Sequence, residues 1–358
     1  MKFRIVILML AVAAIFAVWG CSNDKPTSSN NPGDTTSTNT TDWNTAGYWD
    51  ARDINASDYE NYIFYSFEKK DTVNLTLDQA LTSTNWDIGF KRVTLLINSG
   101  ASGAGNTKVV DLASINHIDS TNFEGFTDYS VIDTNQLGSG SYTLNIDEWY
   151  IYNPSNHTVN PTQNVYLLHD ATDGYVKFQV IGIDNPGRYN MGTITIQYIY
   201  STTTSFDGQP DTLAFTDSTG GAFYVDFSTG SIVVPSIPRS STDWDIEING
   251  FEIHQNNTIF GIGAAGSYEV WLDQTNPADF NETTSVPNGV PFFSDEYGSP
   301  MTDWYNYIHP PGGNPTILSK NHVYLFKSGE HFYKMQISAY YNHDNMASGY
   351  YSFKWLGF

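Results

Sequence analysis

From Asp42 onward the chain is a succession of short apolar or alternating runs broken by Gly, Asn, Asp and Pro. Residues 192–200 (GTITIQYIY) alternate with period two over much of their length, the pattern of a half-buried strand. Residues 62–67 (YIFYSF) and 165–168 (VYLL) are short apolar runs of strand length. No long segment repeats with helical period; only residues 76–82 (TLDQALT) are expected to form a helical turn or two. The pattern predicts a mainly β protein.

Comparing these runs with one another reveals a duplication. Trp86-Asp87-Ile88 returns as Trp244-Asp245-Ile246, an offset of 158. Trp149-Tyr150 returns as Trp304-Tyr305 at 155, and Val165-Tyr166-Leu167 as Val323-Tyr324-Leu325 at 158. The strand around Lys177 and Gln179 returns around Lys334 and Gln336 at 157, and aromatic-rich runs to Tyr200 and Phe358 close the copies. Motifs in one order at nearly constant offset indicate two copies of one domain, 42–202 and 203–358.

Alternation assigns the repeated residues to faces. Trp86 and Trp244 should be large buried anchors, with Ile88 and Ile246 on the same face. Asp87 and Asp245 then point the other way, toward backbone donors at a strand edge. Lys177 and Lys334, with Gln179 and Gln336, should lie on a solvated or stem-buried face.

The region before the first domain is different. Lys2 and Arg4 precede an apolar run from Ile5 to Val18. That run is short for a permanent span, which takes about 20 residues, and fits the apolar part of a signal peptide over residues 1–20. Val18-Trp19-Gly20-Cys21 resembles the lipobox of bacterial lipoproteins, which implies a lipid on Cys21; Trp19 is bulky for that motif. Cys21 is the only cysteine, so no disulfide can form within the chain. Residues 21–41 lack large apolar side chains. They should form a disordered tether with a mean span of about 25 Å.

Net charge is −22, and more negative still without residues 1–20, which carry Lys2 and Arg4 and no acid. This argues against nucleic acid as a partner and against electrostatic docking on anionic lipid. Catalytic signals are thin. No metalloprotease, P-loop, CxxC or nucleophile-elbow motif occurs, the glycine-rich run 98–105 reads as a flexible hairpin loop, and the acidic loops lack EF-hand spacing. The chain is read as not an enzyme.

The motif set of Trp86-Asp87-Ile88-Gly89-Phe90, Asn98-Ser99-Gly100, Trp149-Tyr150, Val165-Tyr166-Leu167 and Lys177 with Gln179 resembles the HmuY-like haem-binding lipoproteins. The resemblance covers nearly all of both domains. It implies two tandem antiparallel β domains on a membrane-anchored protein in the cell envelope, at the outer membrane or cell surface. It also implies haem as cofactor and transfer to an outer-membrane haem receptor. A haem binder of this family uses two loop histidines between the Trp-Asp-Ile strand and the Val-Tyr-Leu strand. The matching interval of the first domain holds His117 and His157, the candidate pair for the iron; the second offers His309, with His322 and Met301 nearby. A surface module that binds glycans or protein through exposed Trp and Tyr rings, without haem, is the alternative.

Overall fold

The computed structural model describes residues 42–358 except 185–190, 217–220, 258, 274–275, 278 and 312. The signal peptide, Cys21 and the tether therefore lie outside the described residues.

The structure is mainly antiparallel β, in two compact units that cut across the two sequence copies. One unit, here the inserted unit, is Leu144–Glu296; the other, the split unit, comprises residues 42–143 and Tyr297–Phe358. Each is thus built from the first part of one repeat and the second part of the other. By this exchange the sequence copies 42–202 and 203–358 are each shared between the two units.

In the split unit a six-stranded sheet runs in the order Asp42–Trp43, Trp49–Asn55, Ser348–Gly357, His331–Tyr341, Val323–Ser328, Lys108–Asp111. A four-stranded sheet holds Asp71–Val73, Ile63–Ser66, Ile88–Lys91 and Thr94–Ile97. The inserted unit repeats the scheme. Its larger sheet centres on Thr193–Ser201, Tyr175–Asp184, Val165–His169 and Gly266–Asp273, and its smaller sheet on Phe223–Asp226, Ile246–Asn249 and Glu252–Gln255.

Register explains how the exchange is possible. Tyr324 lies opposite Asp111 in the split unit, and Tyr166 opposite Glu269 in the inserted unit. The two pairs occupy equivalent positions of the duplication. Each Val-Tyr-Leu strand therefore finds the same hydrogen-bonding edge in either repeat, and closure onto the other repeat resembles domain swapping within one chain.

The central strands are buried on both faces, which is why residues 323–326 (VYLF) show no alternation of polarity. Tyr324 and Phe326 face an inter-sheet core with Tyr65, Phe67, Ile88, Phe90 and Phe353. Val323 and Leu325 face a layer formed by the long segment after Leu112, including Phe123, Phe126 and Ile132. The short helix forms where expected, at Leu77–Thr82, with Thr76 as a capping-box residue.

The repeated Trp-Asp-Ile segments behave as expected of anchors. Trp86 and Trp244 are buried and donate Nε1–H to the Ala80 and Pro238 carbonyls at 2.9 and 3.0 Å. Asp87 accepts the Phe67 N–H at 2.7 Å, and Asp245 those of Phe227 and Ala171 at 2.8 and 3.1 Å.

Two expectations are revised. The glycine-rich run is a packed turn around buried Asn98, whose Nδ2 donates to the Ser83 and Trp86 carbonyls. A Cβ at Gly103 would lie 2.2 Å from Asn98 Oδ1, and one at the matching Gly261 would lie 1.7 Å from Asn256 Oδ1. Glycine is required there for close approach. Lys177 and Lys334 are on the face that alternation gives them, but that face is covered. Lys334 Nζ donates to the Phe123 and Phe126 carbonyls at 2.6 and 2.7 Å. Lys177 Nζ donates to those of Phe280 and Thr283 at 2.7 and 2.8 Å. Burial lowers the pKa of both.

Candidate functional site

Each unit displays one two-stranded hairpin beside its sheets. In the inserted unit it pairs Tyr150–Asn153 with Thr158–Pro161; in the split unit it pairs Tyr305–Ile308 with Thr316–Ser319. The repeated tryptophan just before each hairpin fixes its base. Trp149 is buried and donates to the Phe251 carbonyl at 3.3 Å; Trp304 is buried and donates to the Val93 carbonyl at 3.0 Å. In both cases tryptophan and carbonyl come from different repeats.

Beyond these anchors the hairpins expose what a globular surface normally hides. Ile151 and Tyr152 are 60 % and 42 % exposed, and Tyr307, Ile308 and Leu318 are 62 %, 44 % and 47 % exposed. By alternation Ile151 and Tyr152 lie on opposite faces of their hairpin, as do Tyr307 and Ile308, whereas Ile308 and Leu318 share a face. A histidine accompanies each group. His157 ends the turn of one hairpin and its Nδ1 is hydrogen-bonded to Tyr152 Oη. His309 directly follows Ile308 in the other and is exposed.

His117 stands elsewhere. It is exposed, between Ile115 and Ile118, which pack on the layer over Val323 and Leu325. His117 and His157 both hold left-handed backbone, φ 72° and 60°. That conformation is uncommon for a non-glycine residue, though His tolerates it better than most. The exchange puts His117 in the split unit and His157 in the inserted unit, so the pair taken from one repeat does not share a unit. His117 and His309, from different repeats, do. Two secondary candidates are occupied structurally. Met301 is buried in the inter-sheet core, and His322 Nδ1 lies 2.8 Å from Asp111 Oδ2. Among the described residues no three His, Cys, Asp or Glu side chains converge to hold a bare metal ion.

The inserted unit also contains carboxyls held above the usual carboxylate range. Burial, opposed by hydrogen bonds from Ala171 and Phe227, pushes Asp245 up to about 7. Burial, with the charges of Glu148 and Asp147, pushes Glu269 to about 7. An acid whose folded pKa exceeds its unfolded value keeps its proton longest when folded. Their effect is therefore to lower stability as pH rises from about 4 to about 7. Glu269→Gln removes one such charge. It should raise the stability of the inserted unit at pH 8 by up to about 1 kcal/mol after solvent screening, or ~2–4 °C in melting temperature, and change little at pH 4. Thermal unfolding at the two pH values checks this; an equal effect at both would contradict it.

Each of the two β units thus presents a hairpin with exposed apolar side chains and a histidine. The comparisons supply the family. The family model described as HmuY protein matches residues 58–198 and 219–355. The chain belongs to the HmuY family, a family of binding proteins. Among solved structures, a lipoprotein candidate of Bacteroides fragilis is 9% identical, with 88% of this chain and 93% of that one covered and a TM-score of 0.35. A HmuY-like haem-binding candidate of Bacteroides vulgatus is 10% identical, with 86% and 90% covered and a TM-score of 0.34. The apo HmuY analogue of Tannerella forsythia is 9% identical, with 87% and 95% covered and a TM-score of 0.33. No curated protein matches the chain.

Proposed function

We propose that the protein is a cell-envelope lipoprotein, anchored through Cys21, that binds haem or a related porphyrin on its hairpins for delivery to an outer-membrane receptor. The observation that carries this reading is the coincidence, in both units, of exposed apolar side chains with a histidine on an anchored hairpin. A porphyrin presents a flat apolar face to the side chains and an iron that takes imidazole nitrogen. Tyr152 in one unit, and Ile308 with Leu318 in the other, would meet the macrocycle. His157 and His309 would be the axial ligands, and His117 the second ligand in the split unit. The Tyr152 hydroxyl on His157 Nδ1 is the kind of outer hydrogen bond that fixes the ring of a metal-ligating histidine.

Haemin titration of the purified chain tests the reading. A saturable Soret shift is expected, weakened by Tyr152→Phe about tenfold or more. A chain that gives no saturable shift would refute haem binding.

A further inference from the structure

The split unit contains a second feature, independent of the hairpin. The Thr316–Ser319 strand meets His331–Tyr341 toward its C-terminal end, where the Ile317 N–H donates to Tyr341 Oη. At the opposite end, around the Ser328–His331 turn, lies a cleft of about 580 Å³. That size is within the range of small-molecule sites, about 300–1,000 Å³.

Trp49, Phe67, Tyr333 and Trp355 line it as one continuous group of rings. Trp49 stacks on Trp355 at 6.1 Å, Phe67 on Tyr333 at 4.9 Å, and Tyr333 meets Trp355 at 5.8 Å. Lys69, Lys70 and His331 stand at the exposed rim with Thr84, Asn85 and Glu68, and the exposed acids Asp71 and Glu330 adjoin Lys70 and His331 in the chain without lining the cleft. The other lining carboxylate, Asp87, is buried and already accepts from Phe67 N–H and the Ser328 and Thr107 hydroxyls. Lys70 Nζ lies 4.2 Å from the Trp49 ring centroid, so charge and ring face act at one spot.

The duplication provides an internal control. Trp49 lies opposite Trp355, and at the matching place in the inserted unit Asp211 lies opposite Tyr198. Tyr333 corresponds to Val176, each opposite the fourth residue of its Val-Tyr-Leu strand. Lys69 and Lys70 correspond to Thr229 and Gly230 in the turn after the shared Phe67 and Phe227. The fold is therefore built equally well without these rings and cations. Lys70 also holds φ 60° where the other unit has Gly230 at φ 64°. A lysine kept in a conformation that disfavours side chains indicates a use for its ammonium.

We infer that this cleft binds an acidic sugar. A pyranose ring would lie beside Tyr333, its hydroxyls would meet Asn85 and Thr84, and its carboxylate would be held by Lys69, by Lys70 where it lies over Trp49, and by His331. A chain of net charge −22 places two lysines in the lining of one aromatic cleft, and their ammonium groups would hold an anion there. The hydroxyl and amide groups at the rim select for a polyhydroxylated ring over an apolar plane.

Tryptophan fluorescence of the purified chain should change saturably on titration with tetragalacturonate and much less with neutral maltotetraose. The double variant K69T/K70G installs the other unit's residues and removes the left-handed lysine. It should weaken tetragalacturonate binding about tenfold or more without lowering the melting temperature. His157→Ala should leave this binding unchanged. The inference is overturned by no saturable response to tetragalacturonate, by equal affinity for maltotetraose, or by unchanged affinity in K69T/K70G. A haemin Soret shift lost on His331→Ala would overturn it too, by assigning the cleft to a porphyrin.

Discussion

Replacing Lys334 by Met should destabilise the split unit by about 3 kcal/mol. The ammonium is buried, donates to the carbonyls of Phe123 and Phe126, and lies 4.5 Å from the Phe123 ring centroid. Methionine fills similar volume but leaves both carbonyls without that donor, at about 1–3 kcal/mol each. The location of the damage matters as much as its size. Lys334 belongs to the second repeat, and the carbonyls it holds belong to the first. Hydrogen exchange should therefore accelerate in residues 119–137 and stay unchanged in residues 279–284. Repeats folded as contiguous bodies would give the reverse, because Lys334 would then hold the carbonyls of Phe280 and Thr283, which Lys177 holds here.

The second large effect concerns the hairpin histidines. Removal of His157 or His309 should each eliminate one class of haemin site, with a loss of affinity of about 100-fold or more at that site, equivalent to ~2.7 kcal/mol. The two losses should be independent, because the histidines belong to different units. His117→Ala should affect only the site that depends on His309, since those two share the split unit. Were His117 instead coupled to His157, as their common repeat suggests, His117→Ala would weaken the site that depends on His157.

Much of this architecture was legible in the residues. Period-two alternation over residues 192–200 encodes local structure directly, and both that strand and the helical turns expected over residues 76–82 form. The duplicated Trp-Asp-Ile motif specified buried rings and carboxylates aimed at backbone N–H groups, and the structure shows both. The exchange was not legible. Equal spacing in two repeats means equal register, so each strand edge suits either partner and periodicity cannot say which is taken. The burial of Lys177 and Lys334 was hidden for a related reason: alternation gives the face of a strand, not the loop that covers it. The aromatic cleft left a trace that was not read, the replacement of Thr229 and Gly230 by Lys69 and Lys70 in the matching turn. The individual histidines gave only intervals, because exposed loop residues have no packing pattern to place them.

The most direct test of the proposed function is haemin titration of the His157→Ala/His309→Ala double variant beside the unaltered chain. The account predicts a saturable Soret shift for the unaltered chain and its loss in the double variant, with the melting temperature of the ligand-free protein unchanged. An undiminished Soret shift in the double variant would contradict it.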